Sequence, residues 1–168
     1  MDYRGYGRSR GKRSEALMHR DVDMCFDFAQ KTTRAINTFI YGRSLGCAFA
    51  THLAAGGIAN GLVLETPFYN LPRLAKHFHP YLPLKWLMRY SFGSDHFIRR
   101  VEMPIILFHG THDDLVPYHH AYDLYLEARH VGRDIRFVTL MGGHHSDLVK
   151  FESFVKKRAE FLNAITIE

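Results

Sequence analysis

Four short runs of β-branched and aromatic residues, separated by longer amphipathic stretches, predict an α/β fold. The runs cover 36–41, 61–65, 105–109 and 135–140. Their apolar centres suit a mostly parallel sheet with helices on both faces. A further observation is Gly42-Arg43-Ser44-Leu45-Gly46, which sits between the first run and an alanine-rich helical stretch. With no internal repeat or flexible linker, 1–168 reads as one domain.

The elements follow in order. Ser14 to about Lys31 reads as a helix with Ser14 as N-cap, since Met18, Val22, Cys25 and Ala29 fall on one stripe of a 3.6 period. Ile36-Asn37-Thr38-Phe39-Ile40-Tyr41 is the first strand, and Leu45 to Ala55 a small-residue helix ending at Gly56-Gly57. Gly61 to Glu65 is the second strand. Pro104 introduces the third, Ile105 to His109, and Pro117 opens a helix to about His130, with His119 and His120 in its first turns facing solvent. Ile135 to Leu140 is the fourth strand, and a closing helix runs from about Ser146 to Ile165. The stretch 67–100 breaks the alternation. Its prolines at 67, 72, 80 and 83 predict short broken helices, and its many aromatic and leucine residues suit a lid or cap insertion over a pocket.

Composition removes several functional classes. A chain of 168 residues with 46% hydrophobic residues is not disordered, and no 18-residue apolar run is present to span a membrane. Two cysteines, Cys25 and Cys47, are too few for a disulfide framework or a Cys-based zinc site. No signal peptide is visible at the start, so a reducing, cytoplasmic location is the expectation. The net charge of +5 is largely scattered, and no nucleic-acid-binding signature accompanies it, so nucleic acid is not an expected partner. Cys47 reads as small core packing.

Gly-x-Ser-x-Gly between strand and helix marks a nucleophile elbow. Small flanking residues let the chain make a sharp turn that lifts the Ser44 hydroxyl out of the sheet, near the positive end of the following helix. Partners for such a serine belong after later strands, an acid and then a histidine. Gly110-Thr111-His112-Asp113-Asp114 follows the third strand, and Gly142-Gly143-His144-His145-Ser146-Asp147 the fourth. Asp113 or Asp114 would be the acid, and His145 or His144 the base. These residues could also be imagined as a metal cluster, but without a His-Glu-x-x-His pattern none is expected. His77-Phe78-His79 reads as a solvated loop pair.

These segments resemble the serine α/β-hydrolases, specifically the acylglycerol-lipase and depalmitoylase-type branch. Asp2-Tyr3-Arg4-Gly5-Tyr6-Gly7-Arg8-Ser9 is similar to the loop after that family's fourth strand, 104–117 to its acid segment and 142–148 to its histidine loop. The resemblance implies an α/β-hydrolase fold, no cofactor, and a small-molecule ester or thioester with an apolar acyl group as substrate. It favours Asp113, three residues past Gly110, over Asp114. It also favours His145, since His145-Ser146-Asp147-Leu148 aligns with the family's motif, over His144. Ser44 would attack, His145 serve as base and then acid, Asp113 orient it, and the Leu45 backbone N–H stabilise the oxyanion. Phe68, Tyr69 and Trp86 are candidates to line the pocket. The stretch Leu82 to Met88 could touch a membrane surface, and no obligate protein partner is inferable.

One departure from the family is at the N-terminus. Its members carry further strands before the Asp-Tyr-Arg-Gly loop, on the order of 80–100 residues at about 30 per βα unit. The expectation is therefore a chain with N-terminal strands missing, whose first strand lies at a sheet edge. The competing expectation to an active hydrolase is a catalytically silent fragment or binding module of the same fold.

Overall fold

The computed structural model describes residues 2–166, without the side chains of Lys85 and Trp86. Four strands, β1 (Phe39–Arg43), β2 (Gly61–Glu65), β3 (Ile105–Gly110) and β4 (Ile135–Leu140), form one parallel sheet in the order β1-β2-β3-β4. The helices are α1 (Glu15–Thr33), α2 (Leu45–Ala54), α3 (Leu71–Phe78), α4 (Leu84–Leu87), α5 (Ser94–Ile98), α6 (Tyr118–His130) and α7 (Glu152–Ala164). A 3-10 turn at Leu148–Lys150 precedes α7.

Alternation along the strands sorts their side chains between two cores. On one face Ile40, Leu62, Leu64, Ile105 and Leu107 pack with Cys47 and Ala50 of α2, Ile98 of α5 and Leu124 of α6. On the other, Val63, Ile106 and Phe108 meet Phe154 and Phe161 of α7, with the Phe108 and Phe154 rings edge to face at 4.6 Å. The sheet is thus covered on both faces. Burial of this kind is worth roughly 25 cal/mol per Å² of apolar surface and drives the layering.

Several local expectations are corrected. The first strand begins at Phe39, not Ile36: Ile36 is 80% exposed, and Thr38 instead exchanges bonds with Asn60, its N–H to Asn60 Oδ1 and its carbonyl from the Asn60 N–H. Along α1 the inward stripe is Met18, Val22 and Phe26, while Cys25 and Ala29 face solvent. Ser14 holds the N-cap position with extended backbone, but its hydroxyl makes no cap bond. The closing helix starts at Glu152 because Phe151 is extended.

The 67–100 stretch forms the short helices α3, α4 and α5. These do not form one layer. α3 has no buried residue, whereas Ser94 and Ile98 of α5 are buried in the body of the protein. A third apolar cluster of Met18, Phe49, Phe68, Phe92 and Val116 binds the stretch to α1 and α2. No described helix is long and apolar enough to cross a membrane.

Candidate active site

Ser44 occupies the turn from β1 into α2 at φ 51°, ψ −121°, a strained conformation for a residue with a Cβ. Its neighbours enforce the turn. A Cβ on Gly42 would lie 2.6 Å from Ala50 Cβ and 2.7 Å from Cys47 Cα, so only glycine lets α2 lie this close to β1. Gly46 is different, since a Cβ there would meet only the Tyr3 hydroxyl, at 3.7 Å. The Ser44 N–H donates to the Glu65 carbonyl at 2.9 Å, which ties the turn to the end of β2. Leu45 is the first residue of α2, so its N–H has no partner within the helix and points where the helix dipole is positive.

Asp113 lies in the loop after β3, and its carboxylate is completely buried. One oxygen accepts the N–H groups of Leu115 and Val116, at 3.0 and 2.8 Å. The other stands 2.8 Å from His145 Nδ1 and 3.3 Å from His109 Nε2. Burial alone would push this carboxyl up. Hydrogen bonds from His109, His145 and the Val116 N–H outweigh it and hold Asp113 well below the usual carboxylate range.

His145 comes from the loop after β4, at the opposite edge of the sheet from β1. Three strand spacings of about 4.8 Å separate those edges, so this loop must fold back across the strand ends. It does so over β3: a Cβ on Gly110 would lie 2.1 Å from the Gly143 carbonyl oxygen. The His112 N–H also donates to that oxygen at 2.9 Å, and the Gly142 N–H to Thr111 Oγ1 at 2.9 Å. His145 Nε2 then lies 3.0 Å from Ser44 Oγ. Because an ionised carboxylate only accepts, Nδ1 carries the proton toward Asp113 and Nε2 is free to accept from the serine hydroxyl. A carboxylate, an imidazole and a hydroxyl linked in this order can activate the hydroxyl as a nucleophile.

The other candidates lie elsewhere. Asp114 is exposed, and His144 is exposed with its N–H donating to Asp147 Oδ1 at 2.7 Å. Phe68 is buried in the cluster with Phe49 and Val116. Tyr69 turns toward α6, its hydroxyl donating to Glu127 at 3.0 Å and its N–H reaching His120 Nδ1 at 3.4 Å. Neither borders the cavity of about 510 Å³ beside Ser44, which is lined by residues including Tyr3, Val22, Ile40, Leu45 and Phe49. The Trp86 side chain lies outside the described residues. His120, expected to face solvent, is fully buried, and burial, helped by nearby His119, Arg73 and His77, pushes it down to about 4. Among the described residues no group of three or more His, Cys, Asp or Glu is arranged to hold a metal ion.

Two neighbours of the site escaped the sequence reading. Glu65 ends an otherwise apolar strand, and Arg43 is the variable residue before the serine. A lone carboxylate closing a buried run was the available signal.

The fold is that of the α/β hydrolases, and in it Ser44, His145 and Asp113 align as hydroxyl, imidazole and carboxylate. The chain belongs to the family described as serine aminopeptidase, S33, whose model matches residues 1–94. It is 28% identical over 190 residues to lysophosphatidylserine lipase ABHD12 of Danio rerio, covering 98% of this chain and 50% of that protein. It is 25% identical to the human alpha/beta hydrolase domain-containing protein 17B, covering 96% of this chain and 54% of the relative. Among solved structures, the Pyrococcus furiosus esterase Pf2001 superposes with a TM-score of 0.75 at 20% identity, covering 98% of this chain and 68% of that one. The chain spans about half the length of these curated relatives.

Proposed function

We propose that the protein is a serine hydrolase that cleaves a small-molecule ester or thioester with an apolar acyl group. The observation that carries this reading is the continuous hydrogen-bonded line from Asp113 through His145 to Ser44. His145 Nε2 takes the hydroxyl proton as Ser44 Oγ attacks the acyl carbon, and Asp113 holds the imidazole in its tautomer and stabilises the imidazolium. The Leu45 N–H donates to the developing oxyanion at the head of α2. His145 returns the proton to the leaving alcohol or thiol, leaving an acyl-enzyme on Ser44. Water activated by the same histidine then releases the acid.

Two features support the choice of substrate. Aliphatic and aromatic side chains dominate the cavity at Ser44, and one similar protein carries a lipid ester in its name, lysophosphatidylserine lipase. Exposed Phe78, Tyr81, Leu82 and Leu87 in the 67–100 stretch, flanked by Lys76 and Arg89, suit a lid that meets a lipid surface.

The test is fluorophosphonate labelling and turnover of p-nitrophenyl esters of increasing acyl length, on this chain and on a form extended upstream. Labelling lost in Ser44→Ala and a preference for longer acyl groups are expected. Absence of both labelling and turnover from both forms sinks the enzyme reading in favour of a silent binding module.

A further inference from the structure

We propose that Arg43 and Glu65 form a positioning pair that holds His145 in register with Ser44, an inference that rests on the serine-hydrolase reading above. The two residues face each other across β1 and β2, paired in the parallel register. Glu65 is only 2% exposed. One of its carboxylate oxygens accepts the Tyr41 hydroxyl. The other lies 3.4 Å from Arg43 Nε and has no hydrogen bond of its own. The guanidinium reaches further: a terminal nitrogen donates to the backbone carbonyl of His145 at 3.2 Å, across 102 residues of sequence. Glu65 therefore touches both halves of the site. Its main-chain carbonyl accepts the Ser44 N–H, while its side chain fixes the arginine that fixes the histidine's backbone.

The histidine loop needs such a tether. Apart from the imidazole's own bonds to Asp113 and Ser44, the main-chain bonds ahead of His145 gather at residues 142–144, through Thr111, Leu140, the His112 N–H and Asp147, and Met141 is 75% exposed. The carbonyl of His145 itself is held by Arg43. An ion pair in which one partner is deeply buried is a poor source of stability, because desolvation offsets most of the attraction. A carboxylate is instead suited to hold a planar, forked guanidinium in one orientation, with another nitrogen left to bridge. The guanidinium, at the rim of the cavity beside Ser44, reaches Glu65 and the His145 main-chain carbonyl, so its role is to position.

The assignment makes Arg43→Lys the informative variant. Lysine keeps a positive charge opposite Glu65, but its ammonium is a point charge on a flexible stem and lacks the planar fork whose separate nitrogens reach the carboxylate and the His145 carbonyl. Arg43→Met and Arg43→Lys should both lower kcat for a p-nitrophenyl ester by about 10- to 100-fold, the scale set by an ångström of misplacement, with KM little changed. Free guanidinium should restore part of the rate of Arg43→Ala and none of that of Ser44→Ala. Glu65→Gln, which keeps its shape and an acceptor for Tyr41, should lower kcat in the same sense, and the Arg43→Met/Glu65→Gln double variant should lose no more than Arg43→Met alone. Full activity in Arg43→Lys, or unchanged kcat with a lowered Tm across the series, would reduce the pair to a structural ion pair and overturn the assignment. Absence of fluorophosphonate labelling and ester turnover from both the unsubstituted chain and its upstream-extended form overturns the hydrolase reading itself, and this assignment with it.

Discussion

His145 Nε2 lies 3.0 Å from Ser44 Oγ although 101 residues separate them in the chain. The first prediction follows from that contact. Ser44→Ala should abolish fluorophosphonate labelling and reduce ester turnover by about 10⁴-fold or more. Circular dichroism and Tm should remain close to those of the parent, because the change leaves the φ and the backbone bonds of the turn in place. Retained turnover would remove Ser44 from the chemistry.

The acid and base each have a neighbour that makes an internal control. Asp113→Asn should lower kcat by about 10³- to 10⁴-fold through the wrong imidazole tautomer. Asp114→Asn, at an exposed position, should stay within about twofold as a surface change. His145→Gln and His144→Gln should split the same way. Steady-state kinetics of the four variants decides both pairs, and equal losses within either pair would contradict the geometry.

Gly110 is a mechanical test of the loop crossing. A Cβ there would lie 2.1 to 2.9 Å from the backbone atoms of Gly143, and backbone cannot rotate aside. Gly110→Ala should cost about 1–3 kcal/mol as overpacking, at roughly 2–4 °C of Tm per kcal/mol for a domain of this size. It should also reduce kcat, since it separates the loops of Asp113 and His145. Gly46→Ala, which has room for its methyl, should leave Tm nearly unchanged.

Acid should weaken the fold through buried neutral histidines. Burial and adjacent positive groups hold His120 at about 4 in the folded state, against about 6.5 unfolded. The unfolded chain therefore binds the extra proton between those values, so this contribution to stability is complete above about pH 6.5 and is lost as pH falls toward 4. His19, lowered by burial and by His52, acts in the same direction. Thermal melts from pH 7 to 4 should show Tm falling in this window, with a shallower fall in His120→Asn. An identical slope in that variant would exclude His120 as a source.

The sheet, the elbow and the order of the site segments were legible because each rests on local chemistry. Glycine at 42, apolar strand centres and Gly-rich loops after β3 and β4 constrain the backbone wherever they occur. What could not be read were facts of tertiary approach. Ile36 has strand propensity, but nothing in the fold covers it. His120 looks like an exposed helix residue until α6 is set against the 67–100 stretch, which buries it. Phe68 and Tyr69 sit in an aromatic-rich stretch, yet one fills the core and the other turns to Glu127. The bridge from Glu65 through Arg43 to His145 joins the ends of β1 and β2 to the loop after β4 and exists only after the sheet forms.

The site also has a temporal order. The strands pair in the order in which they are made, and the serine precedes its base by 101 residues. At about 5–20 residues per second of translation, Ser44 exists for about 5–20 s before His145 is synthesised. Throughout that interval it is an ordinary alcohol, with no imidazole to withdraw its proton. Built in this order, the site gains its hydroxyl-imidazole contact only when the loop after β4 docks over the strand ends.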